Sequence, residues 1–448
     1  MSIKLNSEKQ CIILNVILFF LMTIINNYYL SIIISGIILL LFFFTILKNK
    51  SNIFVLFLFF LLTQKGFQYV YLDTPLYNLM TYLDEIIEGV LLLFLLYKYI
   101  NSKISMNNDY VKFICFFGTY MFCMVISSLI YRYSSMINSL LDLFLCTKFV
   151  IFLIVARKIN YKKIADNLLT FAKISAIITF LLSIVDGFIF EIYPKFDFRF
   201  FTYSLELCFQ HPTYLAAFEI GILSILLLND KKINKIYYVL VITVTMLTFR
   251  TKAIAIIVTF IALYISFIKF NFRFKYLLMA ITILIIIYFS MFQIEKYFFS
   301  DGYVTIREKL LLDGFDIANN HPLFGAGLAT FGTTVAYSTG SIFYYTYGYM
   351  SGYYKNQPVA DCFWNGIFAE SGYLGAIFFI ISIMMLFIIA IKNYKNNKLI
   401  FATQILILLY CLITSTAETS FFNPAIAPMF IVFGLNSSES KNNEVKKI

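Results

Sequence analysis

Charged residues are scarce in this chain of 448 residues, of which only 13% are Asp, Glu, Lys or Arg. Soluble domains carry about 25%. This scarcity, together with 61% hydrophobic residues and a mean hydropathy of +0.83, excludes a soluble globular protein. The apolar runs are ~15 to 22 residues long and do not alternate, which is typical of helices that cross a bilayer rather than of barrel strands. We expect an all-α polytopic membrane protein.

Catalytic and cofactor motifs are also scarce. The chain has two histidines, so a His-rich metal site is not expected. It lacks a nucleotide-binding loop, zinc-ligand spacing, a nucleophile elbow and a dinucleotide fingerprint. The sequence therefore predicts no metal and no cofactor. The net charge of +11 does not indicate a nucleic-acid partner, because the lysines lie in short loops between apolar runs, where they set orientation.

The apolar runs predict about 12 to 14 transmembrane helices in one integral membrane domain over residues 1–448. No large soluble domain fits in the remainder. With fourteen helices, the predicted spans are 11–25, 28–47, 53–71, 77–98, 111–131, 139–156, 167–188, 211–229, 236–249, 253–268, 274–292, 371–391, 399–416 and 421–435.

Basic residues predict the orientation of these spans. With both termini in the cytoplasm, every internal loop holds at least two lysines or arginines. The positive-inside rule then makes residues 293–370 a large extracytoplasmic loop between late spans and residues 436–448 a cytoplasmic tail. A hydrophilic excursion in so apolar a chain is where we expect the function, in the stretch from Ser300 to Gly375.

Arginines lie where the orientation rule disfavours them. Of six arginines, four fall on or near the external side: Arg132, Arg199, Arg250 and Arg307. Lysine suffices to anchor a loop, whereas the planar guanidinium suits phosphate and carboxylate. The pattern favours an anionic external ligand, and four scattered surface arginines are the alternative.

Two of the cationic positions interrupt apolar patterns. Arg250 and Lys252 separate two short spans, where they are either an anion clamp or a snorkelling pair that ends a span. Arg307 belongs to a predicted amphipathic helix with an apolar stripe of Val304, Leu311, Phe315 and Ala318. Because Arg307 falls within that stripe, it is expected to bind a ligand or an internal acid.

Further candidates follow that helix. His321 and Pro322 end the helix, and His321 is either a catalytic group or a structural cap. Gly325 and Gly327 could offer their backbone amide groups to phosphate. The aromatic run containing Tyr344 and Tyr347 suits either stacking on sugar rings or an aromatic belt at the membrane interface.

Carboxylates form two further groups. Asp361 and Glu370 lie where the chain re-enters the membrane after the large loop. They are either acceptors of a proton from an attacking hydroxyl or solvated loop acids. Asp84 and Glu88 share a helix face within a span, and Lys148 in another span can pair with either. We expect this second group to hold helices together, with a chemical role as the alternative.

Several of these features together resemble a known family. The run NNHPLFGAG, the upstream Arg307, the Arg250 that follows a span, and a D-x8-E-x-G-x2-G pattern starting at Asp361 and including Glu370 are similar to the O-antigen polymerase and ligase superfamily of bacterial surface-polysaccharide assembly. The similarity is clearest over residues 210–435. The first ~200 residues are similar only as a succession of spans.

The resemblance implies an all-helical, GT-C-like membrane glycosyltransferase in the bacterial inner membrane. Its donor would be an undecaprenyl-pyrophosphate-linked oligosaccharide at the outer membrane face, used without a cofactor. Arg250 and Arg307 would bind the pyrophosphate while an acceptor hydroxyl attacks the anomeric carbon. Membrane lipid is an implied partner, and a chain-length regulator protein is a further one that the resemblance allows.

One position departs from part of the superfamily. Ligases of this group usually carry histidine where this chain has Asp361, so the chain looks more like a repeat-unit polymerase for O-antigen, as in lipopolysaccharide, or for capsule. A ligase that transfers finished glycan is the nearest alternative. A flippase for lipid-linked oligosaccharides is the alternative of another class, against which the long loop 293–370 counts.

Overall fold

Helices dominate the computed structural model, which describes residues 7–101, 107–199, 201–269, 305–351 and 362–435 and positions 284, 288, 291 and 295. The strands in these ranges form one antiparallel hairpin, β1 (Phe198–Arg199) and β2 (Thr202–Tyr203). The expected all-α class is confirmed. The helices are α1 (Ser7–Ile25), α2 (Tyr28–Lys48), α3 (Ile53–Val70), α4 (Leu76–Thr81), α5 (Leu83–Asn101), α6 (Asn108–Tyr131), α7 (Met136–Ala156), α8 (Tyr161–Ile184), α9 (Pro212–Leu228), α10 (Ile236–Leu247), α11 (Thr251–Leu263), α12 (Ile306–Asn320), α13 (Thr334–Ser338), α14 (Ile342–Thr346), α15 (Phe363–Asn396), α16 (Lys398–Thr414) and α17 (Met429–Gly434).

The lengths and apolar composition of these helices suit a multi-pass membrane protein. Within the described ranges, 8 helical segments are long and apolar enough to cross a membrane: α1, α2, α3 with the turn before it (Lys50–Val70), α6, α7, α8 with its π-helical continuation (Tyr161–Ile189), α11 with its π-helical continuation (Thr251–Ile268), and α15. The shorter apolar helices α9, α10 and α16 accompany them. The predicted span 274–292 lies outside the described residues, apart from three isolated helical positions.

Two predicted spans are not continuous helices. The segment 77–98 is divided between α4 and α5. Tyr82 separates them, because its backbone angles are not helical. The segment 421–435 has a short 3-10 turn, Ser420–Phe422, and then only the six residues of α17. Pro424 and Pro428 lie between these two pieces and lack the amide hydrogens that a continuous helix needs. Hydropathy alone does not register such interruptions.

The longest helix, α15, is broken at Gly372, whose φ of 65° and ψ of −174° are not helical. The turn after α12 packs into this break. Ala326 and Gly327 donate their amide hydrogens to the carbonyl oxygens of Ala369 and Glu370, at 2.8 and 3.0 Å. The carbonyl groups freed by the break therefore have hydrogen-bond partners. The HPLFGAG and E-x-G-x2-G motifs pack against each other, and we call this contact the joint.

Helix α12 packs against α15 through a face that partly differs from the predicted one. Its buried residues are Leu310, Gly314, Ile317 and Ala318, so Ala318 of the predicted stripe is buried, whereas Leu311 and Phe315 are not fully buried. A β-carbon at Gly314 would lie only 2.8 Å from the β-carbon of Asn365, so the glycine allows the two helices to touch. Sequence reasoning counted apolar side chains and overlooked a glycine as a contact residue.

A buried ion pair joins α5 to α7. The ammonium group of Lys148 donates to Asp84 and, at 3.0 Å, to Glu85. Asp84 also accepts a hydrogen bond from the amide of Gln64 at 2.6 Å. The predicted pairing of Lys148 with an acid of the other span is confirmed, and Asp84 is that acid. A charge buried among helices needs such a partner, so this group connects α3, α5 and α7.

Candidate functional site

Cationic side chains line a cavity of about 730 Å³ where the N-terminal ends of α9, α11 and α12 meet. We call it the arginine cavity. Thr213 belongs to the first turn of α9, Lys252 to that of α11 and Arg307 to that of α12. Tyr410 and Thr414, near the C-terminal end of α16, also line the cavity. The cationic lining residues are Arg199, Arg250, Lys252 and Arg307.

Three helix N-termini add to the positive potential of this cavity. The first amide groups of a helix have no partner within the helix, and the aligned peptide dipoles place about half a positive charge at that end. Such ends favour phosphate and carboxylate groups. The arginine cavity combines this backbone potential with four cationic side chains, so an anion is the ligand that its electrostatics favour.

Asp197 holds two of the arginines together. Its carboxylate accepts a hydrogen bond from Arg199 Nε at 2.9 Å and pairs with a terminal nitrogen of Arg250 at 2.7 Å. Arg199 reaches it from β1, and Arg250 caps the start of α11. Arg250 Nε is buried and has no hydrogen-bond partner among the described residues. The pairing fixes both guanidinium groups at the cavity wall while leaving donor capacity on Arg250.

His211 is the second group that holds Arg250. A terminal nitrogen of Arg250 lies 3.1 Å from His211 Nε2, and a guanidinium can only donate there. His211 must therefore be neutral in this contact. His211 lines the cavity with part of its surface exposed, and partial burial, with the nearby charge of Arg250, lowers the pKa of His211. The imidazole is an uncharged acceptor at neutral pH.

Lys252 is held from the opposite side by Glu418, at 2.7 Å. Both side chains are largely covered, with 18% and 15% of their surfaces exposed. The second carboxylate oxygen of Glu418 is buried without a hydrogen-bond partner among the described residues. Lys252 therefore does not merely snorkel away from an apolar segment. It lines the cavity as one member of an internal ion pair.

The backbone before two of these residues adopts an unusual conformation. Gln210 and Phe249 both have positive φ angles, 62° and 48°, although neither is glycine. They immediately precede His211 and Arg250. Residues other than glycine rarely adopt this left-handed region of backbone angles, and positions that do so cluster at functional sites. The two turns place His211 and Arg250 side by side at the start of α9 and α11.

Glu370 lies behind the arginine cavity and does not line it. Its side chain is 2% exposed, and one carboxylate oxygen accepts the amide hydrogens of Thr330 and Phe331 at 2.9 and 3.2 Å. Asp142 on α7 accepts the amide hydrogen of Ala329 at 2.8 Å in the same turn. These carboxyl groups bind backbone amides of one loop, so within the described residues Glu370 contacts the loop backbone rather than the arginine cavity.

Gly325 and Gly327 also lie outside the cavity lining. The amide of Gly325 donates to the carbonyl of His321 at 3.0 Å, and that of Gly327 donates to Glu370. Both amides are engaged within the protein rather than offered to a phosphate. Their φ angles of 73° and 97° explain why glycine occupies these positions in the joint with α15.

His321 and the tyrosines hold the segment after α12. His321 caps that helix, and its ring contacts the hydroxyl of Tyr133 at 3.2 Å. Tyr344 has no exposed surface and accepts the amide hydrogen of Gly332 at 3.0 Å, while Tyr347 donates to Asp316. Of the two interpretations of the tyrosines, neither sugar stacking nor a membrane belt describes Tyr344, which belongs to a small local core.

The cavity contains only part of the predicted set. Arg199, Arg250, Lys252 and Arg307 come together, whereas Arg132 is exposed at the end of α6. Asp361 lies outside the described residues.

Sequence reasoning missed three groups that organise the cavity: Asp197, His211 and Glu418. His211 precedes Pro212, and a polar residue before proline at the start of an apolar run is a helix-start signal. That signal gives a boundary but no neighbour. Only the fold brings the start of α9 next to the start of α11.

Comparison with protein-family models and with curated proteins finds no match for this chain. The resemblance therefore rests on the residues quoted for it.

Proposed function

We propose that this protein is a polysaccharide repeat-unit polymerase, which joins lipid-diphosphate-linked oligosaccharides by glycosyl transfer. The observation that carries the proposal is the arginine cavity, in which Arg199, Arg250, Lys252 and Arg307 converge with three helix N-termini. These are the residues that the family resemblance and the charge pattern single out. A diphosphate is the ligand class that this combination suits best.

The cationic lining of the cavity suits a diphosphate diester. Within the described residues, Asp197 is shared by Arg199 and Arg250 while Glu418 pairs with Lys252, so one carboxylate faces two arginines. A diphosphate linked to lipid at one end and sugar at the other carries two negative charges. Preorganised donors that face developing negative charge are commonly the largest contribution to catalysis. Here they would stabilise the departing lipid diphosphate.

In the proposed reaction, an acceptor sugar hydroxyl attacks the anomeric carbon of the donor. The bond from that carbon to the diphosphate oxygen breaks, and the lipid diphosphate leaves with the bonding electrons. The hydroxyl proton passes to a base, for which we retain Asp361, since Glu370 is bound to loop amides. Hydroxyl groups of Thr213, Thr251 and Thr334 in the cavity wall are suited to bind the sugars.

The proposal places the protein in the inner membrane of a bacterium, with both termini in the cytoplasm and the arginine cavity facing outward. Lysine-rich loops support this orientation. The donor would be linked to undecaprenyl pyrophosphate, the product would be O-antigen or capsular polysaccharide, and the fold would be of the GT-C kind. A chain-length regulator would act beside it.

A strain that lacks this gene tests the proposal through the sizes of its surface glycans. We expect single repeat units in the deletion strain and a restored ladder of long glycans after complementation with the wild-type gene. Long glycan that accumulates on its lipid carrier would instead identify a ligase. Single-unit donor trapped on the cytoplasmic face would identify a flippase, and an unchanged ladder would exclude all three roles.

A further inference from the structure

A second cavity, of about 690 Å³, lies at the opposite ends of the helices that frame the arginine cavity. Helix α9 begins at the arginine cavity and ends here, with Leu228 and Asn229 in the wall. Helix α16 runs the other way, from Lys398 and Leu399 here to Thr414 at the arginine cavity. Each helix has 17 residues, a length of roughly 25 Å. The two cavities therefore lie at opposite boundaries of an apolar layer.

Lysines line this second cavity, which we call the lysine cavity. Four of them, Lys162, Lys231, Lys232 and Lys398, face one carboxylate, that of Asp230. The carboxylate already accepts the hydroxyl hydrogen of Tyr238 at 2.9 Å and pairs with Lys235. Lys235, which does not line the cavity, thus partly neutralises the charge of Asp230. The lysines of the lining therefore keep a surplus of positive charge.

The neighbouring acid is engaged as well. Asp166 pairs with Lys232 at 2.9 Å and with Lys9 at 3.6 Å. Lys162 and Lys231 make no ion pair within the part of the chain that the structure describes. Both lysines are exposed at an open cavity, and a surplus of cations around one volume is repulsive unless an anion or water occupies it. The cavity is therefore predisposed to bind an anionic group.

The rest of the lining is amphipathic. Leu228, Ile268 and Leu399 supply apolar surface, whereas Asn229, Asn396 and Asn397 supply amide groups. A free inorganic anion would use only the polar part of this lining. A molecule with a phosphate head and hydrocarbon chains would use both parts, and it would be present at high concentration at this boundary. Basic pockets between transmembrane helices bind such headgroups in other membrane proteins.

We propose that the lysine cavity binds the phosphate headgroup of an anionic membrane phospholipid. The lipid would hold together the start of α8, the end of α9 and the start of α16, whose residues form the wall. Because α9 and α16 also carry residues of the arginine cavity, the bound lipid would fix the far ends of two helices of that site. The proposal does not depend on the enzymatic role of the arginine cavity.

Native mass spectrometry of the purified full-length protein tests this inference. The probes are phosphatidylglycerol, the zwitterionic phosphatidylethanolamine and inorganic phosphate. We expect retention of phosphatidylglycerol in preference to phosphatidylethanolamine, and no displacement by an equal concentration of inorganic phosphate. In Lys162→Gln/Lys231→Gln, phosphatidylglycerol binding should be about 30-fold weaker, since each lysine near a membrane surface contributes about 1 kcal/mol to anionic lipid binding.

The matched control is Lys50→Gln/Lys112→Gln. These two lysines are exposed and do not line the lysine cavity, and the control removes the same charge. It should bind phosphatidylglycerol like the wild type. Equal binding by the two double variants would overturn the proposal and leave the lysines as a solvated surface. Displacement of the lipid by inorganic phosphate would also overturn it, in favour of a soluble phosphate ligand.

Discussion

Exchange of Arg250 for lysine is expected to lower glycan polymerisation by about 100-fold, the usual cost of losing one preorganised donor to a leaving group. One terminal nitrogen of Arg250, Nη2, contacts both Asp197 at 2.7 Å and His211 at 3.1 Å, while Nε has no described partner. Lysine keeps the charge but has one nitrogen and no planar fork. It therefore lacks the further guanidinium nitrogens that can bind a diphosphate while Nη2 stays on Asp197 and His211.

Arg132→Lys provides the control for this prediction. Arg132 is exposed and does not line the arginine cavity, so the same chemical change there should leave the glycan ladder intact. The amounts of both variants in the membrane are measured in the same cells by immunoblotting. A normal ladder from Arg250→Lys at wild-type abundance would mean that the guanidinium has no part in the reaction.

A second large effect is expected at the joint between the turn after α12 and the broken helix α15. A β-carbon at Gly325 would lie 2.3 Å from the carbonyl carbon of Glu370, and the φ of 73° disfavours any other residue. Left-handed backbone strain costs about 1 to 2 kcal/mol, and overpacking costs about 1 to 3 kcal/mol. Gly325→Ala should therefore lower the free energy of unfolding by roughly 3 kcal/mol or more.

Gly348→Ala separates the two causes. Gly348 also has a positive φ, 77°, but a β-carbon there meets no atom within 4 Å. This variant carries the backbone strain alone, and we expect a loss of about 1 kcal/mol. Thermal unfolding of both variants in one detergent measures the difference. Equal midpoints for Gly325→Ala and Gly348→Ala would show that the turn does not pack into the break of α15.

The sequence predicted the all-α fold class and singled out the cationic residues that line the arginine cavity, in both cases for physical reasons. A charge within an apolar segment is costly, so Arg250 and Lys252 indicated a functional or paired position. The structure places both in one cavity with Arg307. The pairing of Lys148 with Asp84 followed from the same cost. Each prediction needed only local composition and the rule that a buried charge needs a partner.

Long-range neighbours could not be predicted in this way. Nothing local distinguishes His211 from His321, because each precedes a proline, yet only His211 lies in the arginine cavity. Tyr344 was assigned to sugar binding or to a membrane-interface belt because tyrosine combines an apolar face with a hydroxyl, whereas it is fully buried. Glu370 was predicted as a catalytic proton acceptor, with a solvated loop acid as the alternative, whereas two amides from a distant turn bind it. In each case the deciding partner is remote in the sequence.

Turnover by the purified protein tests the central claim most directly. The protein, reconstituted in lipid, is supplied with a lipid-diphosphate-linked oligosaccharide on its accessible face, and products are sized by mass spectrometry. The account predicts glycans of two or more repeat units on the lipid, with free lipid diphosphate released in equal amount to the bonds formed. Donor that remains a single unit, whether unchanged or moved across the bilayer, would contradict it.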